Sequence, residues 1–155
     1  MDQFVFTPIA SVVNSRDHLN DDDWGEVVSQ IHLGEGYSAD LFMGLDTFSH
    51  VEIIFVFHRI PGDKNVPDTR HPRSNMDWPR LGLLAQRSAY HPNSIGLSRA
   101  EIISVEGSTL TVKGLDAVNG TPVLDIKPFF REFIPSDTQQ PPWVSELLKE
   151  YWKKS

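Results

Sequence analysis

Arg99-Ala-Glu-Ile-Ile-Ser-Val105, Glu106-Gly107, Ser108-Thr-Leu-Thr-Val-Lys113 reads as two strands joined by a tight turn. Isoleucine, valine and threonine fill both arms, and these β-branched side chains pack well on a pleated surface. Gly107 supplies the backbone freedom that a short hairpin turn demands. A lone hairpin is marginal in water, so further strands must cover its apolar face. The chain offers them on both sides. Val51 to His58 (Val-Glu-Ile-Ile-Phe-Val-Phe-His) is the most apolar run and predicts a central strand. Phe4 to Val13 predicts a first strand edged at Pro8, and Glu26 to Leu33 a second. Leu81 to Ala85 predicts a short strand, and Pro122 to Ile126 a last one behind an Asn119-Gly120 turn.

Helices are few. One or two helical turns are expected from Tyr37 to Leu45, with Ser38 as N-cap and Gly44 near the stop. After Pro128 and the Pro141-Pro142 pair, Trp143 to Lys154 reads as a helix with Trp143, Leu147 and Tyr151 on one face. Pro61 to Pro79 holds few large apolar residues and reads as a long loop. About seven short strands without strand–helix alternation imply a mainly β fold, a barrel or sandwich with a peripheral C-terminal helix. The 155 residues suit one domain over 1–155, with its core at about 4–134 and the helix at about 143–154.

Composition narrows the function. There is no cysteine, which excludes disulfides, thiolate metal sites and a cysteine nucleophile. No basic segment leads into a long apolar run at the start, and no stretch approaches the roughly 20 apolar residues that span a bilayer. A cytoplasmic protein without membrane contact is the expectation. The 21 acidic residues outnumber 14 basic ones, a net charge of −7 that disfavours a broad basic face for DNA or RNA. Arg70, Arg73, Arg80, Arg87 and Arg99, with His71 and His91, still enrich the middle of the chain. Asp21-Asp22-Asp23 lacks the spacing of a calcium loop and reads as solvated, so no metal site is expected.

Two loops are rich in chemistry. Gln86-Arg-Ser-Ala-Tyr-His-Pro-Asn-Ser-Ile-Gly-Leu-Ser98 carries an arginine, hydroxyls, a tyrosine and a histidine on neither a helical nor a strand pattern. Asn93 and Gly96 tolerate positive φ, so this backbone can fold tightly around a ligand or simply form a surface loop. In Gly114 to Phe130, Asp116 and Asn119 bracket a turn, and Asp125-Ile-Lys127 puts a carboxylate and an ammonium on one strand face. By residue type alone that pair is a structural ion pair or a reacting one.

Four segments, in order, resemble the TrmO/TsaA-like family. They are Gly44-Leu-Asp-Thr-Phe-Ser-His50 before the strand ending in Phe57-His58, Arg87-Ser-x-x-x-Pro-Asn-x-Ile-Gly-Leu-Ser98, Gly114-Leu-Asp116, and Asn119-Gly-Thr-Pro-Val-Leu-Asp-Ile-Lys-Pro128. The resemblance implies a small β-barrel that forms a homodimer and binds S-adenosylmethionine near the subunit interface. It also implies methyl transfer to N6 of threonylcarbamoyladenosine beside the anticodon of tRNA. By matching positions it implies a cofactor site from His58, Arg87, Leu97, Asp116, Ala117, Val118 and Asn119, with Trp24 closing over it. Asp125 and Lys127 fall in the implied reaction region, Asp125 as proton acceptor. The chain departs from the family pattern at Ala89, Tyr90, His91, Ser94 and Phe129. Two other functions stay open: a methyltransferase acting on a small molecule or protein, and a non-catalytic module that binds the cofactor.

Overall fold

Alternating burial sets the architecture. In the strand His50–Val56, the side chains of Val51, Ile53 and Phe55 are buried while those between them are partly covered. The computed structural model describes residues 2–60 and 66–153. Among them run β1 (Ala10–Val13), β2 (Val28–Leu33), β3 (His50–Val56), β4 (Thr69–Arg70), β5 (Leu81–Gly82), β6 (Ile95–Glu106), β7 (Thr109–Lys113) and β8 (Pro122–Pro128). Six of these close into a barrel in the order β1-β2-β7-β6-β3-β8, every neighbouring pair antiparallel. β4 and β5 form a separate two-stranded ribbon.

The barrel interior is apolar. Val12, Ile31, Val51, Ile53, Phe55, Leu110, Val112 and Val123 are sealed from solvent and form one cluster. Each such side chain contributes about 1.5–3 kcal/mol relative to staying exposed. The hairpin that anchored the sequence reading is β6–β7, with Gly107 at φ +57° in its turn. Two register shifts bend the wall, one opposite β8 at Ile54/Phe55 and one in β6 between Ile102 and Ser104. An extra residue in one strand raises local twist and helps a small sheet close.

Several boundaries differ from expectation. The first strand begins at Ala10, not Phe4, and Phe4, Val5 and Phe6 stay largely exposed because no neighbouring strand reaches them. The second begins at Val28. The 3-10 turn Ala39–Phe42 falls where expected, with Ser38 Oγ accepting the Asp40 N–H, while a second turn, Leu45–Thr47, starts after Gly44 at φ +84° and runs past the expected end. Within the long loop, the part at 61–65 lies outside the described residues, while the remainder contains β4 and a 3-10 turn. The expected short strand at Leu81 shrinks to two residues and then turns.

The C-terminal helix is the largest correction. It spans Pro142–Leu147, six residues rather than a run to Lys154, whose placement lies outside the described residues. Beyond it the chain tightens: the Tyr151 N–H reaches Leu148 O at 3.1 Å and the Lys153 N–H reaches Glu150 O at 3.3 Å. Long-range pairing then fixes this tail. The Glu150 and Tyr151 carbonyls accept hydrogen bonds from Asp23 and Trp24 N–H groups at 3.2 and 2.8 Å.

Candidate functional site

The connection from β7 to β8 is the most heavily braced loop of the barrel. Gly114 and Gly120 both have φ +80°, a left-handed conformation that glycine adopts without a Cβ penalty. Between them Leu115, Ala117 and Val118 are buried, and Asp116 and Asn119 are partly covered. Asn14 ties this loop to β1 and β2. Its Nδ2 donates to the Ala117 carbonyl and to Ser29 Oγ, both at 2.8 Å, and its backbone N–H donates to Asn119 Oδ1 at 3.2 Å. Asn119 Nδ2 donates to Asp17 at 3.0 Å, and its carbonyl accepts from Arg59 at 3.2 Å.

Asp116 is the polar centre of the loop. Its Oδ2 accepts a short hydrogen bond from the hydroxyl of Tyr151, while Oδ1 is buried without a hydrogen-bond partner. Burial foremost, then the Asp116 charge and hydrogen bond, pushes the Tyr151 phenol well above its ordinary pKa. The positive charges of Arg87 and Arg73 pull it the other way. Arg73 sits in the left-handed region at φ +48° and forms a two-pronged ion pair with Asp22, at 2.7 and 3.1 Å. The acidic run 21–23 is thus engaged by an arginine, not merely solvated.

Arg87 donates to the carbonyl of Leu97, the third residue of β6. Leu97 itself points outward at 44% exposure. The divergent part of this loop has partners of its own. His91 Nε2 donates to the Gln86 carbonyl at 2.8 Å, and Arg70 stacks 4.4 Å from the Tyr90 ring centre. Positive φ falls on Ser94 rather than on Asn93 or Gly96. Gly96 serves a different purpose: a Cβ there would collide with the Phe55 ring.

His58 lies past the end of β3, its Nε2 3.8 Å from where a Cβ on Gly120 would sit. Partial burial, then the Arg59 charge, lowers its pKa and favours neutral imidazole. Trp24 is 4% exposed, with Arg16 stacked 4.2 Å from its ring centre. Asp125 and Lys127 form an exposed ion pair at 2.7 Å on the outer face of β8. In the ladder Asp125 faces Ile54, which in turn faces Leu97, so Asp125 and Leu97 share one row of the wall. Arg99 stacks 3.5 Å from the Phe129 ring centre and pairs with Glu52 at 3.0 Å one step along. The structure therefore joins Asp116 to Tyr151, ties Arg87 to Leu97, sets His58 beside Gly120, and puts Asp125, Lys127 and Leu97 on one outer face.

A profile described as the tRNA-methyltransferase O N-terminal domain matches residues 21–134. The chain belongs to the TrmO family. Within that family it is 41% identical to the tRNA (adenine(37)-N6)-methyltransferase of Escherichia coli (strain K12) over 113 residues, 68% of this chain and 48% of the relative. The human protein of the same description is 41% identical over 100 residues, 64% of this chain and 22% of the relative. A Methanothermobacter thermautotrophicus protein described as a probable S-adenosyl-L-methionine-binding protein is 35% identical over 104 residues, 67% of this chain and 71% of that one. The TrmO crystal structure from Pseudomonas aeruginosa superposes with a TM-score of 0.72 at 24% identity, covering 92% of this chain and 62% of that one, a likeness of fold. This TrmO-family chain spans about half or less of the length of the tRNA methyltransferases from human and Escherichia coli that it matches.

Sequence reasoning passed over Asn14, Arg73 and Tyr151. Asn14 follows β1 and resembles any loop asparagine. Tyr151 was legible as apolar helix facing, but no local signal links it to Asp116.

Proposed function

We propose that this chain uses S-adenosylmethionine to methylate N6 of a modified adenosine beside the anticodon of tRNA. One observation carries the cofactor assignment: Asp116 sits in a braced loop with one of its oxygens buried and without a partner. A carboxylate with an open oxygen suits a ligand that carries hydroxyl or ammonium donors, and a guanidinium such as that of Arg87 suits the ligand's own carboxylate. Asp116 accepts from the ribose hydroxyls or amino group, Arg87 pairs with the ligand carboxylate, and Leu97 walls the adenine. Ala117, Val118 and Asn119 fix the backbone of the turn, His58 flanks it as neutral imidazole, and Trp24 packs behind the approaching loop.

Bound, S-adenosylmethionine supplies a methyl group on a sulfonium, which leaves as a neutral thioether. Asp125 accepts the N6 proton as the nitrogen–methyl bond forms, and the ion pair with Lys127 orients Asp125. The related tRNA methyltransferases support tRNA as the substrate. With a net charge of −7, phosphate contacts must come from local basic groups such as Arg99. The exposed Ile95 and Leu97 on the outer face of β6 support a homodimer with the site near its interface. A tRNA substrate accords with a cytoplasmic location.

The test is transfer of labelled methyl to total tRNA and, separately, to an RNA-free cell extract. Label in tRNA that is lost in Arg87→Ala and Asp116→Ala upholds the proposal. Label in the extract alone shifts the acceptor to a small molecule or protein. Cofactor binding without transfer to either leaves a binding module.

A further inference from the structure

The segment Trp143–Lys153 lies beyond the matched family domain, which ends at residue 134, yet it returns to the candidate site. Four sets of contacts hold it there. Glu150 and Tyr151 carbonyls accept from the Asp23 and Trp24 N–H groups, at 3.2 and 2.8 Å. The Trp78 indole donates to Glu146 at 2.8 Å, and the Trp78 and Trp143 rings pack at 6.4 Å. The Trp152 carbonyl lies so close over Gly25 that a Cβ at residue 25 would collide with it. Tyr151 completes the set by donating to Asp116 Oδ2.

This segment is tied down by polar contacts more than by burial. None of the residues of its helix, Pro142–Leu147, is buried. Segments held with so little buried apolar area open at the low end of a protein's local stability range. The residue it touches is unusual: Asp116 Oδ1 has no partner and no solvent contact. A buried polar oxygen left so is costly, and a donor that reached it would be strongly favoured.

The geometry points to the C-terminal segment as an intrasteric strap, in which the Tyr151 hydroxyl occupies the position on Asp116 that a ribose hydroxyl of the nucleoside ligand takes. The inference rests on the cofactor reading above. A vicinal diol engages a carboxylate best through both oxygens. Here Oδ2 is taken by Tyr151 and Oδ1 is buried, so two-point binding requires Tyr151, and the strap that carries it, to leave. With Tyr151 against Oδ2 and Oδ1 closed to solvent, the Tyr151 ring and the ligand's ribose compete for the same approach to the carboxylate. Strap opening is then a step of ligand entry, and the affinity observed in the full chain is reduced by the fraction of molecules that are open.

Two full-length variants test this from independent directions. Tyr151→Phe removes the competing hydroxyl, and Gly25→Ala unseats the Trp152 carbonyl while leaving Tyr151 and Asp116 in place. Titration calorimetry with S-adenosylmethionine should show tighter binding in both, about three- to tenfold if the closed form dominates. Limited trypsin digestion supplies a second readout. Cleavage after Lys149 should quicken when S-adenosylmethionine is added to the unmodified chain, because the ligand displaces the strap. Unchanged or weaker binding in both variants, with wild-type binding still lost in Asp116→Ala, overturns the strap and keeps the cofactor site. Absence of binding in the wild type and in both variants overturns the cofactor reading and the strap together. Slower cleavage after Lys149 on ligand addition also overturns it, since the segment would then close over the ligand.

Discussion

The ring of Phe55 occupies the space that any side chain at residue 96 would need. Gly96 and Phe55 face each other across the β3–β6 ladder, and Phe55 is 1% exposed, packed edge-on against Phe57 at 5.1 Å. The glycine of the Ile-Gly-Leu motif is thus a packing requirement of the barrel. Gly96→Ala should destabilise the fold by about 1–3 kcal/mol through overpacking. Urea unfolding checks it, and Gly96→Ala with Phe55→Leu should recover part of the loss. An unchanged midpoint in the single variant would disprove the collision.

Asn14 braces the loop that carries Asp116. Removing its amide strands the Ala117 carbonyl and the fully buried Ser29 hydroxyl. Asn14→Ala should cost about 1–3 kcal/mol by chemical denaturation, the usual penalty for orphaned buried polar groups. S-adenosylmethionine affinity should fall with it, since Asp116 and Asn119 lose their common support.

The Tyr151 phenol, raised by burial and by Asp116, should resist ionisation in alkali. Its pKa lies higher in the folded than in the unfolded chain, so its contribution is complete below the unfolded value of about 10 and is lost as pH rises above it. Spectrophotometric titration of the 3 tyrosines should show a late step. That step should be absent from Tyr151→Phe; its persistence there would reassign it.

For His58 the sign is reversed. Its folded pKa is depressed, by burial first and Arg59 second, so the unfolded chain binds its proton more readily. Stability from this group is present above the unfolded value, about 6.5, and falls as pH drops toward the folded one. NMR titration should place His58 below the ordinary histidine value, and Arg59→Met should move it upward. No movement would exclude Arg59 as a cause.

Asp125 separates chemistry from stability. Its pair with Lys127 is solvent-exposed, and such pairs add little to folding. Asp125→Asn should leave the unfolding midpoint in place while methyl transfer falls by about 10²–10⁴, the usual worth of a positioned proton acceptor. Transfer at the wild-type rate would remove Asp125 from the reaction.

What the sequence revealed follows from range. The β6–β7 hairpin, the β3 strand and the Ser38 cap are local patterns of period, turn and side chain, and each was readable. The Arg87 and Asp116 motifs were readable because a family fixes their order along the chain. The contacts of Asn14 with residue 117, and of Tyr151 with residue 116, join sites far apart in sequence and leave no periodic trace. The same range hides how the C-terminal tail is held. Trp143, Leu147 and Tyr151 have helical spacing, but the later carbonyls pair with the distant Asp23 and Trp24.

Strand β8 has a consequence for how the molecule is made. It pairs with β3 on one side and β1 on the other, so it closes the ring last in chain order. A nascent chain that has released everything up to Gly120 still presents two unpaired edges, each a template for pairing with another chain. Long-range closure of this kind is slow compared with hairpin formation. During synthesis the domain is therefore most prone to mispairing in the interval between completion of the β6–β7 hairpin and emergence of Pro128.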